Sequence, residues 1–123
     1  MNGFVGSLHV TRIDGTRWLV TEAVVYRDAS GSMWSVPAGF VTDFASAWIG
    51  RWSLLPRKAL YCASAVLHDY LYHLGVTTRA NADRLYREAM LSEGISTFHA
   101  WKAYLGVRAF GWGPWNTHRK AKR

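Results

Sequence analysis

Apolar and polar residues alternate through Leu8-His9-Val10-Thr11-Arg12-Ile13, the two-residue period of a half-buried strand. Asp14-Gly15 follows, a strong two-residue hairpin signal. Trp18 to Tyr26 predicts the return strand, with room for a bulge. Asp28 to Ser32 predicts a second turn, and Met33 to Val36 a third strand that Pro37 and Gly39 stop.

The period then changes. Asp43 can cap a short helix to Ile49, and Pro56 opens a long helix to about Leu74, with Gly75 as its stop. That helix is apolar on most sides through its first half, which predicts a central place. Thr78 can cap a second helix to about Glu93, with Ala82, Leu85, Tyr86, Ala89 and Met90 turned inward. Ser96 can cap a third, to about Phe110, with Phe98, Trp101, Leu105 and Val107 as packing candidates. The run Gly111-Trp112-Gly113-Pro114-Trp115 ends it. The fold class is α+β: a small N-terminal antiparallel sheet, then about three helices. The short turn from Gly75 to Thr78 makes the first two long helices an antiparallel hairpin.

The 123 residues fit one domain, read as 1–117, followed by a basic tail, 118–123. Half the residues are hydrophobic and 15% are aromatic, which supplies a core and leaves aromatic surface for packing or for an interface. The single cysteine, Cys62, excludes an intrachain disulfide and a multi-thiolate zinc site, and reads as a small core residue. The start, MNGFVGSLHVTRIDGT, shows no apolar leader segment, and no stretch reaches the roughly 18 residues of a membrane span. Net charge is +7, and the tail holds four of the Lys and Arg residues. Such a tail can touch nucleic acid, anionic lipid or an acidic partner. The body carries no nucleic-acid module signature, so contact with nucleic acid is not expected beyond the tail.

The chemistry concentrates in AVLHDYLY, residues 65–72. A charge in an apolar helix needs a partner. His68 and Asp83 lie at similar depths from the turn, roughly 9 Å and 7.5 Å at 1.5 Å per residue. If both face the seam, Asp83 holds one imidazole nitrogen and leaves the other free to act as a base. Asp69 points about 100° away from His68, and Tyr72 can reach either. Asp43, the one acid between Gly31 and Leu67, either caps a helix with Ser46 or converges on His68 and Asp69. His68, Asp83 and Tyr72 are therefore the candidate catalytic residues. Asp69 and Asp43 are the candidate ligands of a divalent cation, calcium or zinc. The other reading is structural: the pair ties down the loop of residues 36–56 by hydrogen bonds.

Three segments carry a resemblance: VPAGFVTDFAS (36–46), AVLHDYLY (65–72) and RANADRLYREAM (79–90). Together they resemble a family of small uncharacterised proteins of tailed bacteriophages and prophages. The resemblance runs to FGWGPW (110–115) and implies a phage or prophage origin and one α+β domain. That family commonly has a proline soon after TDFAS, where this chain reads Ala47-Trp48-Ile49. A second, local resemblance is the helix motif His-Asp-x-x-Tyr, residues 68–72. It is similar to that of secreted phospholipase A-two enzymes and a related domain of some viral capsid proteins. In those the His is the base, the adjacent Asp binds calcium and a second-helix Asp orients the His; the matching positions are His68, Asp69 and Asp83. This chain lacks their disulfides, and Gly39 is the only glycine in its 36–46 loop.

Three functions follow as expectations. The first is a phage-encoded small hydrolase that cleaves a lipid ester or other cell-envelope bond with metal assistance. The second is a non-catalytic virion or assembly component in which the His-Asp cluster is structural. The third is a host-directed binding protein using its positive charge. Partners would be other virion proteins or the bacterial envelope. Synthesis would be in the host cytoplasm, with virion association open.

Overall fold

The computed structural model describes residues 2–44 and 62–121, and among these six strands precede four helices. The strands are β1 (Gly3–Val5), β2 (Val10–Arg12), β3 (Trp18–Val20), β4 (Val24–Arg27), β5 (Met33–Val36) and β6 (Val41–Thr42). The helices are α1 (Ala63–Leu74), α2 (Arg79–Ser92), α3 (Thr97–Phe110) and α4 (Trp112–Ala121). The α+β class expected from the sequence is what the chain adopts. The helix expected from Asp43 to Ile49 falls almost wholly outside the described residues. The long helix expected from Pro56 begins only at Ala63, because Cys62 before it is extended (φ −133°, ψ 164°).

The single small sheet is instead two antiparallel sheets, ordered β1-β4-β5 and β2-β3-β6. The expected strand from Trp18 to Tyr26 is split between them. Glu22 explains the break. In an unbroken strand it would share a face with Val20, Val24 and Tyr26, all of which are buried. A carboxylate there would lose its water, so the chain bends at 22–23 and Glu22 pairs with His9 on the surface at 3.2 Å. The first hairpin also differs from the expected two-residue turn. Arg12 pairs with Trp18 across a loop in which Asp14 Oδ1 accepts from the Thr16 and Arg17 N–H groups.

Polar side chains organise the joints. Asp28 accepts from the backbone N–H groups of Ser30 and Ser32 and from Trp34 Nε1. Glu88 of α2 accepts from Tyr26 Oη at 2.6 Å and from the Ala29 N–H at 2.9 Å, which fixes the sheet to the helices. At the start of α1, Glu93 accepts from the Ala63 and Ser64 N–H groups and does the work of an N-cap from another helix.

The helix signals hold where they depended on local chemistry. Thr78 caps α2 and Ser96 caps α3 through their side chains. Gly75 closes α1 in the left-handed region at φ 66°. All five residues of the expected α2 stripe are buried. The α3 stripe differs. Ala100, Ala103, Gly106 and Val107 face inward, while Phe98, Trp101 and Leu105 face solvent. Small residues let α3 lie close to α2, and the bulky ones are left outside. The expected stop at 111–115 is a single turn residue, Gly111, and α4 runs from Trp112 to Ala121 and takes up the first part of the basic tail. Gly111 sits against the Tyr72 hydroxyl, where a side chain would collide. None of the described helices is long and apolar enough to cross a membrane.

Candidate functional site

α1 passes between the other helices and the sheets, packing on α2, α4, β5 and β6. His68, at mid-helix, is 1% exposed, and its ring lies between Tyr72 and Tyr86, with ring centres 4.3 Å and 4.5 Å away. The level placement inferred from helix rise is found: His68 Nε2 is 2.8 Å from Asp83 Oδ1. Asp83 has no exposed surface. Its Oδ1 also accepts from Tyr72 Oη at 2.6 Å, and its Oδ2 accepts from Arg108 Nη1 at 2.9 Å, with Arg79 Nη1 at 3.6 Å. Two guanidinium groups and a phenol hydroxyl thus face the carboxylate. Both of its oxygens accept, so His68 Nε2 carries the proton of this bond. In the neutral ring Nδ1 then holds the lone pair. Among the described residues Nδ1 has no hydrogen-bond partner.

The phenol hydroxyl of Tyr72 is held in its protonated form, because burial and the neighbouring Asp83 both push its pKa up. Tyr72 thus donates to Asp83 and does not reach Asp69. Burial drives the Cys62 thiol up to about 12, so the thiol is inert and packs as the core residue the sequence suggested.

A cavity of about 360 Å³ opens over this group. Its lining includes His68, Asp69, Tyr72, His73 and Asp43, with Pro114, Thr117 and His118 of α4 on the far wall. Four of the five sequence-predicted residues, His68, Asp69, Tyr72 and Asp43, therefore meet at one cavity, while Asp83 stands behind His68. A neighbouring hollow of about 310 Å³ shares Asp43, Asp69 and His73. α4 is clamped onto the end of α1 by Arg119, which donates to the Tyr72 and His73 carbonyl groups at 2.6 Å and 2.9 Å.

Asp69 occupies a different sector from His68, as the 100° offset requires. Its Oδ2 accepts from Thr42 Oγ1 at 2.7 Å, and Thr42 Oγ1 in turn accepts from the Phe44 N–H. Phe44 has φ 60°, a conformation rare for a side-chain-bearing residue, and this chain of bonds holds it there. The His73 Nδ1–H donates to the Asp69 carbonyl at 2.9 Å and lies 3.3 Å from Asp69 Oδ1. Asp69 raises the His73 pKa above its usual 6.5 against the opposing effect of burial, and Asp43 adds to the rise. The His73 ring also lies against that of His118, tilted by 37° with ring centres 3.9 Å apart.

Calcium takes six to eight oxygen ligands and zinc about four ligands. Asp69 and Asp43 give two carboxylates, and the two oxygens of Asp69 face Thr42 and His73. Among the described residues no group of three His, Cys, Asp or Glu side chains is placed to hold an ion. A cation here would draw most of its ligands from solvent. The described residues do not fit a protein-built metal site, and no step below passes through one.

Sequence reasoning missed Arg108, Arg79, Thr42 and His118. Arg79 was within reach, because it precedes Asp83 by four residues on one helix. Arg108 and His118 arrive through tertiary packing and leave no local signal.

The fold and site define an α+β domain that carries a buried His-Asp pair beneath a cavity. Residues 18–107 match the family model DUF1353, described as a protein of unknown function, and the chain belongs to that family. The match spans β3 to most of α3 and so includes His68, Asp69, Tyr72 and Asp83. No curated protein and no solved structure matches the chain.

Proposed function

We propose that the protein is a small hydrolase in which His68 is the general base. The observation that carries this reading is the His68 ring: one nitrogen is bound to the Asp83 carboxylate, and the other has no partner among the described residues, in a residue that lines a cavity. A buried ring nitrogen left without a partner is costly, and a base requires one. In the proposed step Nδ1 takes a proton from a water in the cavity, and the oxygen of that water bonds to an ester carbonyl carbon. Asp83 stabilises the imidazolium that results. The same proton passes from Nδ1 to the leaving alkoxide as its bond to carbon breaks. His73, biased toward its charged form by Asp69, brings a positive group to the cavity wall for the developing oxyanion.

The substrate class is a lipid ester or other cell-envelope bond, and a phage or prophage source would supply the need to cleave it. The resemblance of residues 68–72 to the phospholipase A-two helix motif supports this choice. So does the way Tyr72 and Asp83 bracket the His. The test is hydrolysis of phospholipid and simple carboxylic esters by the wild type and His68→Asn. The expected result is turnover that His68→Asn lowers by about 10²-fold or more. A general base also predicts a wild-type rate that rises with pH, which stays informative if the variant does not fold. Turnover unchanged in a folded His68→Asn protein would refute the assignment.

A second reading has its own support. Asp69 joins α1 to the 42–44 segment, and Asp83 joins α1, α2 and α3. Both fit a virion or assembly component in which the polar cluster locks the fold. Absence of turnover on every ester, with His68→Asn strongly destabilised, would favour it.

A further inference from the structure

The outward face of α3 is the second feature that the packing of this fold leaves unused. Phe98, Trp101 and Leu105 are 68%, 44% and 54% exposed. At about 100° per residue they fall in one sector roughly 60° wide. Cations flank the stripe on both sides. Lys102 Nζ lies 5.7 Å from the Phe98 ring centre, and the Arg87 guanidinium from α2 lies 4.3 Å from that of Trp101. Beyond α3, Trp112 is 61% exposed at the start of α4.

Charge identifies the occupant. The charged side chains shown against the stripe, Lys102 and Arg87, are both cations. We infer that this face of α3 docks on an anionic phospholipid surface, with Phe98, Trp101 and Leu105 entering the headgroup boundary and Lys102 and Arg87 meeting lipid phosphates. A helix with an apolar stripe, an edge tryptophan and flanking cations has the form of an interfacial helix. A second copy of the chain is disfavoured, since a two-fold pairing on this face would bring two cation-flanked patches of like charge together. A purely electrostatic contact would leave three large apolar side chains without a purpose. The inference stands apart from the chemistry at His68, and either can fail without the other.

The experiment is co-sedimentation of the full chain with vesicles of phosphatidylcholine alone and with phosphatidylglycerol added. Leu105→Glu is compared with Ile13→Glu, a variant of equal charge on the hairpin loop, where Ile13 is 48% exposed. Both positions are on the surface, and circular dichroism confirms that both variants fold. Binding is expected with phosphatidylglycerol, accompanied by a blue shift in tryptophan emission. Leu105→Glu should weaken it about tenfold or more through lost apolar burial and added repulsion, and Ile13→Glu should leave it within about twofold. Failure to sediment with either vesicle would overturn the inference. So would equal weakening by both variants, which would make net charge the cause. Self-association abolished by Leu105→Glu without vesicle binding would overturn it too, and give the face to a second copy.

Discussion

Asp83→Asn isolates the part of the site that sequence and structure agree on. The substitution keeps the shape and removes the charge. Asp83 has no exposed surface and accepts from His68 at 2.8 Å, Tyr72 at 2.6 Å and Arg108 at 2.9 Å. Asparagine keeps one accepting oxygen, and its amide N–H groups must face at least one of these donors. Hydrogen bonds to a charged acceptor contribute about 1.5–3 kcal/mol each, and breaking a buried charge pair costs about 3–5 kcal/mol. Arg108 and Arg79 are 34% and 21% exposed, so water can take up their lost interaction, and the arginine share falls to the low end. The expected loss is about 3 kcal/mol, most of it from His68 and Tyr72. For a domain of this size that lowers the thermal midpoint by about 10 °C. Urea denaturation of Asp83→Asn, Arg108→Met and Tyr72→Phe should rank them with Asp83→Asn the most damaging and slopes unchanged. A loss for Asp83→Asn within about 1 kcal/mol of zero, or smaller than that of Arg108→Met, would refute the reasoning.

Further predictions concern pH and cations. Burial alone would raise the Asp28 pKa, but hydrogen bonds from Ser30, Trp34 and Ser32 lower it to about 2. Its contribution to stability is therefore present above about pH 4 and lost as pH falls toward 2; denaturation of Asp28→Asn should lack this slope. His73 has the opposite sign. Asp69 raises its pKa in the folded state, and Asp43, His118 and Phe40 also face it. Its stabilising share is complete below about pH 6.5 and disappears as pH rises through the folded value; His73→Gln should cost stability at pH 5.5 and little at pH 9. The thermal midpoint should be unmoved by calcium, zinc or chelator at modest concentration, since no group of three His, Cys, Asp or Glu side chains among the described residues is placed to hold an ion. A cation-specific rise that Asp69→Asn abolishes would refute this.

How much of this was legible depended on how local each cause was. Helix caps at Thr78 and Ser96 and the stop at Gly75 need only neighbouring residues, and all three were readable. The His68–Asp83 pair was readable because a short turn converts sequence distance into depth along two helices. The division into two sheets was not, because it turns on whether Glu22 can be buried, which depends on what covers that face. Phe98, Trp101 and Leu105 were read as core on hydrophobicity. The smaller Ala100, Ala103 and Gly106 won the inward face because they permit close helix approach. The contribution of α4 to the cavity wall was hidden, since glycines and a proline at 111–114 read as a terminus.

In the proposed mechanism His68 Nδ1 carries the lone pair while Nε2–H is held by Asp83. A long-range proton–nitrogen correlation spectrum of the imidazole rings reads this directly. In the neutral ring of His68 the Nε2–H tautomer is expected, replaced by a mixture in Asp83→Asn. An Nδ1–H tautomer in the wild type would contradict it, because the ring would then offer the cavity a donor and no base.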